Sequence, residues 1–316
     1  MDVRELTVPT PDGVLLAGEE SGGGPLDGMP GEESAGRQRG RAAGALGVGA
    51  GTGGGDRAEE GQPIVLLHGL TATRRYVVMG SRLLQRAGHR VIAYDARGHG
   101  RSTPAPTPAA YGYELLAEDL RAMLDARGIA RAALAGASMG AHTILRLALD
   151  HPDRVGALGI VTPAYDPDAP AGATPEGDRD RLARALRDAG VEGFLDAYDF
   201  TSVPAAWRET VRTVVRQRLS AHEHPEAVAD AMEVVPRSRP FARMADLAAI
   251  AVPTLVVASR DEVDPGHPLA LAERYAAAIP GAALAVEDGG PPLRSPIAWQ
   301  GGQLSKAILG LLERVR

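Results

Sequence analysis

The chain has 316 residues, 44% of them hydrophobic and only 4% aromatic, with a formal net charge of −6. That mild acidity disfavours a nucleic-acid or anionic-membrane surface, and no apolar run approaches the ~20 residues of a membrane span. Cysteine is absent, which excludes disulfides, a thiol nucleophile and thiolate metal sites.

The first residues, MDVRELTV, carry charge at once and show no apolar signal segment, so a cytoplasmic protein is expected. Residues 3–8 and 14–17 read as two strands joined at Pro11-Asp12-Gly13, a turn sequence. Residues 18–61 are rich in Gly, Glu, Arg and Ala. Little there can be buried, so a flexible Gly-rich insertion is predicted. Ordered structure resumes with the apolar strand Pro63-Ile64-Val65-Leu66-Leu67, ending in His68-Gly69-Leu70-Thr71. A helix is predicted over residues 74–87, then a buried strand over 90–94. That strand leads into Asp95-Ala96-Arg97-Gly98-His99-Gly100-Arg101-Ser102. Asp95 and Arg97 read there as a pair bracing the loop. Helical spacing of Leu115, Leu116, Leu120, Met123 and Leu124 marks the next helix, over 114–126.

The stretch that organises the chain is RAALAGASMGAH, residues 131–142. A short apolar run, the kind a buried parallel strand makes, leads into Gly136-Ala137-Ser138-Met139-Gly140, and helical spacing follows to His151-Pro152. Strand, sharp turn and helix form the context that G-x-S-x-G needs. The serine must sit on a strained turn, where side chains two residues to either side would collide. The N–H of Met139, at the helix N-terminus, then faces a developing oxyanion. Strands alternating with helices predict a parallel sheet with right-handed crossovers.

Residues 166–240 break that rhythm. Helical stretches are predicted over 179–189, 205–219 and 225–234, with Trp207, Val211, Val214 and Val215 on one face. This segment reads as a helical cap over the nucleophile, with Trp207 a candidate substrate contact. The core returns with a strand over 254–258, a helix over 268–278, a strand over 282–286 and a last helix over 303–315.

Four pieces in this order, HGL at 68–70, DARGHGRS at 95–102, GASMG at 136–140 and PTLVVASRDEVDP at 253–265, resemble the α/β-hydrolase fold family. The resemblance implies an α/β fold: a mostly parallel sheet flanked by helices, with a helical cap inserted after the sixth strand. The core is then 1–17, 62–165 and 241–316, the insertion 18–61 and the cap 166–240. It implies Ser138 as nucleophile, the N–H groups of Leu70 and Met139 as oxyanion hole, and Asp261 as triad acid. Asp264 is a near substitute, and Asp166 occupies the other place where members carry the acid. His68 and His99 fall where the family uses histidine structurally.

The family's histidine follows the last strand, and here the matching position is Gly290; the last histidine in the chain is His267. A serine hydroxyl is a weak nucleophile without a base. His267 at the acid-bearing loop, His142 one helical turn after Ser138, and His222 or His224 in the cap are the candidate replacements. Two readings follow. The first is a hydrolase of a small ester, thioester or lactone with a relocated or missing base. The second is a non-hydrolytic or impaired homologue that binds a small molecule. If the base is missing, Gly290→His is expected to raise esterase activity. No cofactor and no metal are expected, the partner is a small-molecule substrate, and the oligomeric state is left open.

Overall fold

The computed structural model describes residues 3–22, 61–169, 176–201, 203–260, 264, 266–287 and 302–315. Eight strands make one sheet: β1 (Val3–Pro9), β2 (Leu15–Ser21), β3 (Gly61–Leu67), β4 (His89–Tyr94), β5 (Ala132–Ala137), β6 (Val155–Val161), β7 (Thr254–Ala258) and β8 (Ala283–Val286). Their order is β1-β2-β4-β3-β5-β6-β7-β8. β2 runs antiparallel to β1 and to β4, and every later pairing is parallel.

The inner strands β4 to β7 are buried on both sides because both faces are covered. Alternate residues serve opposite layers. Val65, Leu67, Leu134, Val256 and Ala258 pack with α2 (Tyr113–Ala126), α3 (Met139–Asp150) and α7 (Leu269–Ala278). Ile64, Leu66, Ala133, Leu255 and Val257 pack with α1 (Leu83–Arg86) and α8 (Gln303–Glu313).

Two expectations for the N-terminal third need correction. The helix predicted over 74–87 is a 3-10 turn at Arg74–Tyr76 and the four-residue α1. Between them Met79 and Gly80 have φ of 49° and 73°, which no right-handed helix contains. The second strand also runs further than residue 17. Gly18 to Ser21 pair with β4, and Glu20 is buried between Arg90 and Arg127. Its polar composition hid a strand because the ion pairs replace apolar burial. The insertion therefore starts after Gly22; residues 23–60 lie outside the described residues, as do Gly290 and its loop, 288–301.

The segment between β6 and β7 carries α4 (Glu176–Ala197), α5 (Arg208–Leu219) and α6 (Pro225–Val234). α4 bends at Ala189 and Gly190, where φ of Gly190 is 63°. The three helices share a core of Ala183, Leu186, Phe194, Val215, Leu219, Val228 and Met232, on which Leu70 packs. Ala227 and Ala231 of α6 pack in one cluster with Met139 and Tyr113. The cap thus lies over the turn that carries Ser138. Among the described residues, no helix is long and apolar enough to cross a membrane.

Candidate active site

Ser138 sits between β5 and α3 with φ 50° and ψ −109°. A non-glycine residue in this region stores on the order of 1–3 kcal/mol, held only because the surroundings over-determine it. The two flanking glycines show why. A Cβ on Gly136 would lie 2.3 Å from the Gly140 carbonyl, and a Cβ on Gly140 would lie 2.5 Å from Leu67 O. Backbone bonds lock the turn: Ser138 N–H donates to Val161 O at 2.9 Å and Gly140 N–H to His68 O at 3.1 Å.

The N–H groups of Leu70 and Met139 have no protein acceptor among the described residues. Met139 opens α3, so its N–H has no helical partner. Leu70 is aimed through the preceding peptide. Gly69 O accepts from His68 Nδ1–H at 2.8 Å and from Ala72 N–H at 3.0 Å. In a trans peptide the N–H opposes the C=O, so these two donors turn the Leu70 N–H the other way. His68 Nε2 in turn accepts from Ala96 N–H at 2.9 Å. Burial holds His68 down at about 3, so the ring stays neutral with its proton on Nδ1.

His267 lies across from the serine. Its Nε2 is 2.9 Å from Ser138 Oγ, and its Nδ1 is 2.9 Å from both carboxylate oxygens of Asp264. Neutral imidazole fits both contacts when Nδ1–H donates to Asp264 and Nε2 accepts from the hydroxyl. Asp264 and His267 share the loop between β7 and α7, with His267 N–H donating to Asp264 O at 3.1 Å. Asp261 lies outside the described residues. Asp166 is not at this site: it pairs with Arg274 at 2.7 Å.

The other histidines are committed elsewhere. His142 is buried, its Nδ1–H facing Tyr113 OH at 3.1 Å and its Nε2 accepting from Ala164 and Tyr165 N–H at 3.2 and 3.1 Å. Burial pulls it down to about 3. The ring bonds to the loop after β6, so it holds that loop instead of meeting the serine. His222 Nδ1 accepts from Gly100 N–H at 2.8 Å, and its Nε2 faces Thr71 O at 3.2 Å. It pins the cap to the rim of the core. His224 faces Glu226 at 3.6 Å. His99 is buried against the Arg97 and Leu70 carbonyls. Trp207 is half-buried on the 3-10 turn before α5; the apolar side chains that pack with Leu70 come from α4, α5 and α6.

Asp95 and Arg97 brace the loop separately. Asp95 accepts from Arg74 and Arg101 N–H at 2.8 and 3.1 Å. Arg97, almost wholly buried, is bidentate to Asp119 at 2.6 and 2.8 Å and reaches Asp12 at 2.8 Å. The signal for the Asp264–His267 pair was D-x-x-H at 264–267, visible in the sequence but not distinguishable there from a turn.

A sequence model of the α/β-hydrolase fold family matches residues 62–292. A candidate carbamate hydrolase, RutD, of Variovorax paradoxus is 36% identical over 205 residues, covering 64% of this chain and 75% of its own. Among solved structures, the enol-lactonase of Burkholderia xenovorans LB400 is similar with a TM-score of 0.61 at 25% identity, over 83% of this chain and 92% of that one. A thermophilic esterase of Thermogutta terrifontis has the same fold, with a TM-score of 0.69 at 23% identity over 99% of both chains. The relatives named above are described as hydrolases, and the chain belongs to the α/β-hydrolase fold family.

Proposed function

We propose that the chain is a serine hydrolase of a small acyl compound, an ester, thioester or lactone, with Ser138, His267 and Asp264 as its triad. The observation that carries this reading is the 2.9 Å contact between His267 Nε2 and Ser138 Oγ. Ser138 Oγ attacks the acyl carbonyl as its proton passes to Nε2. The oxyanion that forms is met by the N–H groups of Leu70 and Met139, two fixed dipoles at a turn and a helix N-terminus. The imidazolium is held by Asp264 at Nδ1 and returns the Nε2 proton to the leaving oxygen or sulfur. Water then attacks the acyl-enzyme by the same steps, releasing the acid and restoring Ser138.

The names of two relatives, a carbamate hydrolase and an enol-lactonase, describe acyl chemistry of this kind. The non-hydrolytic reading rested on a missing base, and a ring at hydrogen-bond distance from the serine removes that motive. A fluorophosphonate probe tests the proposal. It is expected to label the chain, and Ser138→Ala to abolish labelling. Unlabelled wild-type protein, or equal labelling of the variant, overturns the assignment of Ser138.

A further inference from the structure

α5 carries four arginines, and three of them are accounted for. Arg212 pairs with Asp196 at 2.9 Å, Arg216 with Glu192 at 2.7 Å, and Arg208 donates to Val203 O at 3.0 Å. Arg218 differs. It lies three residues after Val215 and seven after Val211, on the face of α5 that packs into the cap core. Its Nε is enclosed and has no hydrogen-bond partner. Among the described residues no carboxylate lies within ion-pair distance of it, whereas the comparably enclosed Arg97, Arg90 and Arg127 each hold one. The residue as a whole is half-buried, and of its three guanidinium nitrogens only Nε is both enclosed and without a partner.

The location is specific. His222, one turn further on, is bonded to Thr71 O and Gly100 N–H. That pins the C-terminal end of α5 beside the turn carrying Leu70. The ionisable groups in electrostatic reach of Arg218 are Tyr198, Tyr76 and Asp264. The Asp264 carboxylate is already engaged by His267 through both oxygens. A guanidinium keeps its charge under all ordinary conditions, and burial works against that charge here. An enclosed cation that no described carboxylate pairs is a standing cost that a fold removes unless something else completes it. The chain as a whole is acidic, at −6, so general electrostatics do not draw anions in. A local cation is required for that.

We infer that Arg218 binds a carboxylate on the substrate, so that the Ser138 site acts on an ester or lactone whose acyl chain ends in a carboxylate. The inference rests on the hydrolytic reading above and specifies its substrate class. The planar fork of Arg218 is suited to a bidentate carboxylate. Bound there, the acyl chain would run from the cap toward the oxyanion turn, its reacting carbonyl at Ser138.

The test compares mono-4-nitrophenyl glutarate with 4-nitrophenyl butyrate. Wild-type protein is expected to prefer the anionic ester. Arg218→Gln should lower the ratio of kcat/KM values, anionic over neutral, by on the order of 30-fold, chiefly through KM. Arg218→Lys should retain an intermediate ratio. A second measurement needs no turnover: glutarate is expected to raise the Tm of Ser138→Ala protein, and to lose that effect in Ser138→Ala/Arg218→Gln. Ser138-dependent hydrolysis with the same ratio in wild type and Arg218→Gln, and no glutarate effect, overturns the inference and leaves the hydrolytic reading standing. Glutarate binding that depends on Arg218, without hydrolysis of either ester, upholds the anion site and overturns the hydrolytic reading.

Discussion

His267 and Ser138 are 129 residues apart in the chain, yet His267 Nε2 lies 2.9 Å from Ser138 Oγ. The proposed base is thus three residues from its proposed acid, on the loop after β7, and not on the loop after β8. Removing it should be severe. His267→Ala is expected to lower kcat on an activated ester by about 10⁴-fold or more. A loss below tenfold in steady-state kinetics would show that another group takes the proton.

Asp264 fixes the ring's tautomer, so Asp264→Asn should lower kcat by about 10²–10⁴-fold with little change in KM. Asp166→Asn, which breaks the ion pair with Arg274, should cost less than about 3-fold. If Asp261→Asn proves far more damaging than Asp264→Asn, the acid has been misassigned.

With a ring already at the serine, Gly290→His is expected to change esterase activity by less than about 3-fold. This reverses what the absence of a histidine at 290 implied. A gain of tenfold or more would mean that His267 is not the base.

Three buried histidines give stability a defined pH dependence. Burial pulls His68, His142 and His222 from 6.5 to about 3. The unfolded chain therefore takes up these protons first as pH falls. The contribution is complete above about pH 6.5 and is lost progressively from there toward pH 3. At pH 5 each ring accounts for a loss on the order of 2 kcal/mol. Denaturant melts between pH 7 and 4.5 should show this fall, and His222→Gln should make it shallower. A flat profile would mean that these rings protonate in the folded state.

The corrected boundary of the insertion separates the outcomes of two changes. Replacing residues 23–60 with a short turn should leave Tm within a few degrees, because that composition buries little. Glu20→Ala should cost about 3 kcal/mol, since it leaves Arg90 and Arg127 without their shared carboxylate. A large drop in Tm from the first change, or none from the second, would reverse the boundary.

What the sequence determined by itself was local. The elbow at 136–140 was legible because its glycines answer clashes within five residues and a neighbouring strand end. The parallel sheet followed from apolar runs alternating with helical spacing. The cap followed from amphipathic helices without strands between them. Tertiary structure decided what depends on partners distant in sequence. β2 continued through Gly18 to Ser21 because Arg90 and Arg127 sit opposite Glu20, a pairing no local pattern reveals. His142, His222 and His267 carry the same side chain. Two became struts because Tyr113, Ala164, Tyr165, Gly100 and Thr71 close around them. Only His267 was left with one nitrogen on a carboxylate and the other on the serine. A ring's role depends on which groups surround it, and the sheet order sets those across more than a hundred residues of chain.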